Sequence, residues 1–261
     1  MYSKPLFISA LLLSFSCNNN ATSASKESEN MERPVSTHLP DNPYAHIMDI
    51  PLPAGYERTI ESGFASWLRH ISLKKDRAVY IYDGSLKNNQ SAQFAVLDIS
   101  VGDKDLQQCA DAVMRLRAEY LFAIAAFEQI MFRDNNGKVY QFSPPYSREN
   151  FNRYLQQVFG MCGSASLSKQ LIPVGHYADI QPGDVLIRGG FPGHAVIVTD
   201  MAVNAAGEKI YMLAQSYMPA QDIHILVNPV DKDLSPWYNV SEDLIIQTPE
   251  YTFNRNELKR W

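Results

Sequence analysis

Two periodicities divide the chain. Up to about residue 160 the apolar positions recur mostly at helical spacing. Phe64, Trp67 and Leu68 suit a short helix with Ser62 as its cap. A long helix is expected from about Asp105. Asp105 and Gln108 have capping-box spacing, and Cys109, Val113, Leu116, Tyr120 and Phe127 fall on one face. Phe151, Leu155, Val158 and Phe159 predict a second helix over about 149–160, and the MCGSAS stretch after it (161–166) reads as a loop. Strict alternation in AVYIY (78–82) and QFAVLDI (93–99) predicts strands, and QIMF and KVYQF flank DNNG as a hairpin. From residue 180 the pattern turns to strands: 184–188, 194–200, 209–216 and 222–228, with NAAGE (204–208) as a turn. Helices followed by a meandering antiparallel sheet give an α+β fold class.

The first forty residues follow neither pattern. MYSKPLFISALLLSFS (1–16) has one early cation, Lys4, and an apolar run about half the ~20 residues that a membrane-spanning helix needs. It reads as a secretory signal. Because Cys17 follows directly, it resembles a bacterial lipoprotein signal, which implies Cys17 as the lipid attachment point and a cell-envelope location, periplasmic or at the surface. A plain secretory signal with an incidental cysteine is the alternative. Residues 17–40 are rich in Asn, Ser and Thr and bury too little apolar surface to offset their ordering entropy, so they read as a flexible tether. The expected division is therefore a signal peptide (1–16), a tether (17–40) and a single α+β domain (41–261).

Composition narrows the partners. The chain has 261 residues, with 23 basic and 28 acidic side chains and a net charge of −5. There is no Lys/Arg block, which argues against nucleic acid, and against a membrane partner other than through the lipid anchor. Without βαβ alternation or a phosphate-binding glycine loop, no nucleotide or other cofactor is expected. The three cysteines, 17, 109 and 162, form neither a disulfide framework nor a zinc pattern. Asp222 and His224 stand at i and i+2 on one strand face but lack a third ligand, so no metal is expected. Ser216 has no G-x-S-x-G setting for a serine hydrolase.

The chemistry concentrates in Pro182-Gly183-Asp184, a strand, the loop Gly189-Gly190-Phe191-Pro192-Gly193, and His194 opening the next strand. Glycines allow close approach of a ligand or another chain to such a histidine. The passage from 180 to 216 resembles the NlpC-type and CHAP-type cell-wall amidases and peptidases. That resemblance implies a papain-like core, His194 as general base, and a polar residue on the following strand, Gln215, orienting the imidazole. It also implies a cysteine opening an upstream helix, its thiolate favoured by the helix N-terminus. In RENFNRYLQQVFG (148–160) Phe151 stands where that cysteine would be, and Cys162 follows the helix. Cys109 remains, at about the fourth position of the expected long helix and on its apolar stripe, so it reads either as a core residue or as the nucleophile.

Two recognition surfaces are suggested. Asn89 and Gln90 in LKNNQSAQ offer amides for sugar or peptide, and Tyr217 and Trp237 in SYMPAQD and SPWY offer stacking aromatics; the alternative is a surface turn and core aromatics. Together, IYDGSLKNNQSAQ, DLQQCADAVMRLRAEYL, GGFPGHAVIV and LAQSYMPAQDIH resemble an uncharacterised family of envelope lipoproteins, a domain of unknown function, over about 50–255. The expectation is a lipid-anchored envelope protein acting as a cysteine hydrolase on peptide or amide bonds. A non-catalytic binder of peptidoglycan fragments, glycans or an envelope partner is the rival reading.

Overall fold

The computed structural model describes residues 40–241 and 243–261. The expected signal peptide, Cys17 and the tether up to residue 39 lie outside the described residues. Among the described residues no helix is long and apolar enough to cross a membrane.

The strands are β1 (Tyr56–Arg58), β2 (Gln93–Val96), β3 (Met131–Arg133), β4 (Val139–Gln141), β5 (Ile172–Pro173), β6 (Val185–Arg188) and β7 (His194–Asn204). They continue with β8 (Lys209–Gln215), β9 (His224–Leu226), β10 (Trp237–Asn239), β11 (Ile245–Gln247), β12 (Thr252–Asn254) and β13 (Leu258–Arg260). Four α-helices are described: α1 (Gly63–Arg69), α2 (Cys109–Ala123), α3 (Arg148–Met161) and α4 (Ser164–Gln170). Nine strands form one antiparallel sheet in the order β2-β9-β8-β7-β6-β13-β5, with β1 pairing on β7 and β10 on β8. β3–β4 and β11–β12 are separate hairpins.

The mixed α+β class is as expected, and the departures are local. The AVYIY stretch makes isolated bridges, Tyr80 to Leu86 and Ile81 to Gln221, where a strand was expected. The MCGSAS loop is in fact the entry to α4, whose Leu167 reaches the core. The largest correction is at α2. Its helix starts at Cys109, not near Asp105, because Asp105 is engaged elsewhere: it accepts from the Ala220 amide at 2.7 Å and the Gln108 side chain at 3.0 Å. Gln108 is the N-cap, and Asp111 supplies the reciprocal bond by accepting from the Gln108 N–H at 3.1 Å.

The sheet is covered on both faces. Ala195, Ile197 and Met212 belong to the cluster that includes Val113, Met114 and Leu116 of α2 and Phe151 and Leu155 of α3. The alternating Val196, Val198 and Leu213 belong to a second cluster with Ile246 and Phe253 of the β11–β12 hairpin. This explains why β7 is apolar at nearly every position: a strand buried on both faces loses the alternation of a half-exposed one. Each fully buried Leu, Val or Met contributes on the order of 1.5–3 kcal/mol. α2 is buried almost all round, the mark of a central helix.

Candidate functional site

The backbone decides where the site forms. β7 opens on His194 after a loop held against α4, whose Ser164 hydroxyl donates to the Gly190 carbonyl at 3.3 Å. A Cβ at Gly193 would overlap the Ser164 hydroxyl and lie 2.5 Å from the Gly190 carbonyl oxygen, so only glycine fits. The close approach expected of this loop is thus made by the protein's own α4.

His194 is 2% exposed, and its Nε2 lies 2.8 Å from Oε1 of Gln215, the last residue of β8. Three rings wall the imidazole: Tyr217 at 4.6 Å between centroids, Tyr251 at 4.9 Å and Phe253 at 5.8 Å. Burial pulls His194 down to about 4, against the opposing hydrogen bond to Gln215 and the Glu250 charge. The ring is therefore neutral at pH 7.

Cys109 reaches the same corner from α2, and it is the helix's first residue. The backbone N–H groups of Ala195, Ala110 and Cys109 bear on its sulfur and favour the thiolate. Ala195 is the residue after His194, and Tyr217, which packs on His194, is near enough to Cys109 for a thiolate there to raise its phenol. The residue is partly exposed, yet desolvation, with the Asp111 carboxylate adding to it, pushes the thiol up to about 11. The thiol and the imidazole are thus both neutral at rest.

Behind Gln215 the polar chain continues. Its Nε2 donates to Oε2 of Glu250 at 2.8 Å, and the Lys87 ammonium donates to that same oxygen at 2.6 Å. Asn89 donates to Glu250 Oε1 at 3.1 Å. Sequence reading singled out Asn89 but not Lys87 or Glu250. An isolated lysine in a loop and a glutamate in a turn carry no signal until the fold brings residues 87, 215 and 250 together.

Other expected residues lie elsewhere. Gln90 braces its own loop, its amide donating to the Val79 and Lys87 carbonyls and its oxygen accepting from Val79 N–H. Trp237 is 1% exposed, pairs opposite Met212, and donates to the Pro51 carbonyl; it is a core residue and offers no face for stacking. Cys162 caps the C-terminus of α3, and burial raises its thiol to about 11. Phe151 packs among Phe122 and Phe142. The Asp222 carboxylate accepts from the Lys74 ammonium at 2.8 Å and from the Tyr80 N–H at 3.1 Å. Asp184 of the Pro-Gly-Asp turn is bound by the Arg260 guanidinium through both oxygens, at 2.6 and 2.8 Å, tying β13 to β6.

Fold and site together define a mixed α+β protein with a cysteine at a helix N-terminus in the same corner as a buried histidine–glutamine pair. The chain belongs to the family described as domain of unknown function (4846), whose model matches residues 48–145 and 139–260. Neither a curated protein nor a solved structure matches it.

Proposed function

We propose that this protein is a lipid-anchored cell-envelope hydrolase with a papain-like core, acting on peptide or amide bonds through Cys109, His194 and Gln215. The observation that carries the reading is that Cys109 opens α2 with its sulfur at the Ala195 amide, while His194 is held through Nε2 by Gln215. With Nε2 engaged, Nδ1 is the nitrogen left to serve the thiol.

In this mechanism His194 takes the thiol proton as the sulfur attacks the carbonyl carbon, and the backbone N–H groups at the start of α2 receive the developing oxyanion. Collapse of the tetrahedral adduct breaks the C–N bond. The departing amine takes the proton from the imidazolium and leaves a thioester on Cys109. Water, deprotonated by His194, then cleaves the thioester to a carboxylic acid, and the proton returns to the thiol. Because the resting pair is neutral, His194 acts as a base during attack and no preformed ion pair is needed. Tyr217, packed on His194, is the remaining candidate contact for an envelope peptide or glycan at this corner, whereas Asn89 lies behind Gln215 on Glu250.

The same neutral pair supports one rival: a non-catalytic module that binds envelope peptide or glycan fragments in this corner. Incubation of the full chain with purified peptidoglycan and its stem peptides, followed by mass spectrometry, separates the two. The hydrolase reading expects new amine and carboxylate termini that disappear in Cys109→Ala and His194→Ala. Retention of fragments without cleavage by the wild type would leave the binding reading in its place.

A further inference from the structure

We propose that Glu250 is a positioning residue that fixes which nitrogen of His194 is basic, acting through the Gln215 amide and held in place by Lys87 and Asn89. The inference rests on the reading of His194 as the base. Its geometry is independent of any substrate.

A primary amide can be turned end for end at little steric cost, so something must decide which end of Gln215 meets the imidazole. A carboxylate is an acceptor only. Glu250 Oε2 lies 2.8 Å from one end of the amide, and that end must therefore be the NH2 group. The oxygen is then forced toward His194, 2.8 Å from Nε2. An amide oxygen also only accepts, so Nε2 must carry the ring proton, and in the neutral ring the lone pair falls on Nδ1. A turned amide would set its oxygen against the Glu250 oxygen and its NH2 against a protonated Nε2. Both contacts would then be repulsive, and with His194 and Gln215 2% and 1% exposed no water relieves them.

Each further member of the chain is oriented in turn. Asn89 Oδ1 accepts from the Ser91 N–H at 3.0 Å and its hydroxyl at 2.7 Å, so the Asn89 NH2 faces Glu250. Lys87 is 8% exposed and places its ammonium on the oxygen that also serves Gln215. An ion pair so sheltered incurs a desolvation cost that a surface position would avoid. Its two charges act oppositely on His194, Glu250 favouring the imidazolium and Lys87 disfavouring it. What remains of the pair's influence is directional: it sets the amide, and the amide sets the tautomer.

The test is nitrogen-15 NMR of the full chain labelled at histidine, with His194 assigned by the signal lost in His194→Gln. At pH 7 the wild type is expected to show His194 as the Nε2–H tautomer alone. In Glu250→Gln, whose amide can present either end to Gln215, the Nδ1–H form is expected to rise about ten-fold, the change that loss of one orienting hydrogen bond produces. Lys87→Met is expected to move it in the same direction, and Lys87→Arg to restore the wild-type pattern. A wild-type ring protonated on Nδ1 overturns the proposal without any variant. So does a folded Glu250→Gln or Lys87→Met protein with an unchanged tautomer. Absence of hydrolysis in the peptidoglycan assay would remove the catalytic reading and leave this spectrum as it is, so the two failures are distinguishable.

Discussion

At the scale of single residues, the interior spends its few charges on fixing geometry. Asp200, 0% exposed at its side chain, receives Arg58 at 2.7 Å and Arg69 at 2.6 Å, and those two arginines also donate to the Ile50 and Thr59 carbonyls. The cluster therefore pins the chain entering β1 and the end of α1 to the middle of β7. Asp200→Asn leaves two guanidinium groups facing a neutral amide, and a loss of about 3–5 kcal/mol is expected in urea unfolding. At Cys109 the raised thiol predicts a different titration from that of an activated thiolate. In a Cys17→Ser/Cys162→Ser background, alkylation of Cys109 by iodoacetamide should climb through pH 8–10; a plateau already reached at pH 7 would contradict the neutral resting thiol. The cysteine was legible as a candidate from the sequence, but its exposure and partners were not, because both depend on β7.

At the scale of elements, α2 carries most of the correction. The capping-box spacing of Asp105 and Gln108 starts the helix four residues early and moves Cys109 away from the N-terminus, although the apolar stripe itself begins at Cys109. The true start depends on Asp105 bonding the Ala220 amide, a contact spanning more than a hundred residues. The other end of α2 shows the same dependence. Ala125 adopts φ +55°, with its N–H bonded to the Phe122 carbonyl and the Ala126 N–H bonded to that of Leu121, a Schellman stop without glycine. Left-handed backbone costs a non-glycine residue about 1–2 kcal/mol, and glycine pays back part of that gain as unfolded-state entropy. Ala125→Gly should therefore raise the unfolding free energy by about 0.5–1 kcal/mol, measured by thermal melts. α4 escaped sequence reading for a related reason. Ser-Ala-Ser-Leu-Ser has weak helical propensity, and the helix is held by Leu167 in the core and by the loop before His194.

For the whole molecule, two buried histidines couple folding to pH. His194 and His224 are drawn down by burial to about 4 and about 3, from an ordinary value of 6.5. Above pH 6.5 both are neutral whether folded or unfolded, and the native state carries no penalty. As pH falls below 6.5 the unfolded chain takes up protons that the folded protein refuses, and stability is lost until the folded pKa values are reached. At about 1.4 kcal/mol per unit, His194 alone accounts for roughly 3 kcal/mol. Urea midpoints should drop between pH 7 and pH 4, and His224→Gln should make that drop shallower. An unchanged midpoint over this range would refute the burial of both rings.

The sequence by itself determined the class of fold and the main strands from 184 onward, and it singled out Cys109, His194 and Gln215 as candidates. These follow from local periodicity and from residue chemistry, which any window of the chain contains. Only the tertiary structure decided that Cys109 opens its helix, that Trp237 and Gln90 serve the fold, and that Lys87 and Glu250 stand behind Gln215. Gln90 apart, whose partners are local, those outcomes rest on contacts between segments far apart in the chain, and a distance across the fold has no signature in the residues at either end of it.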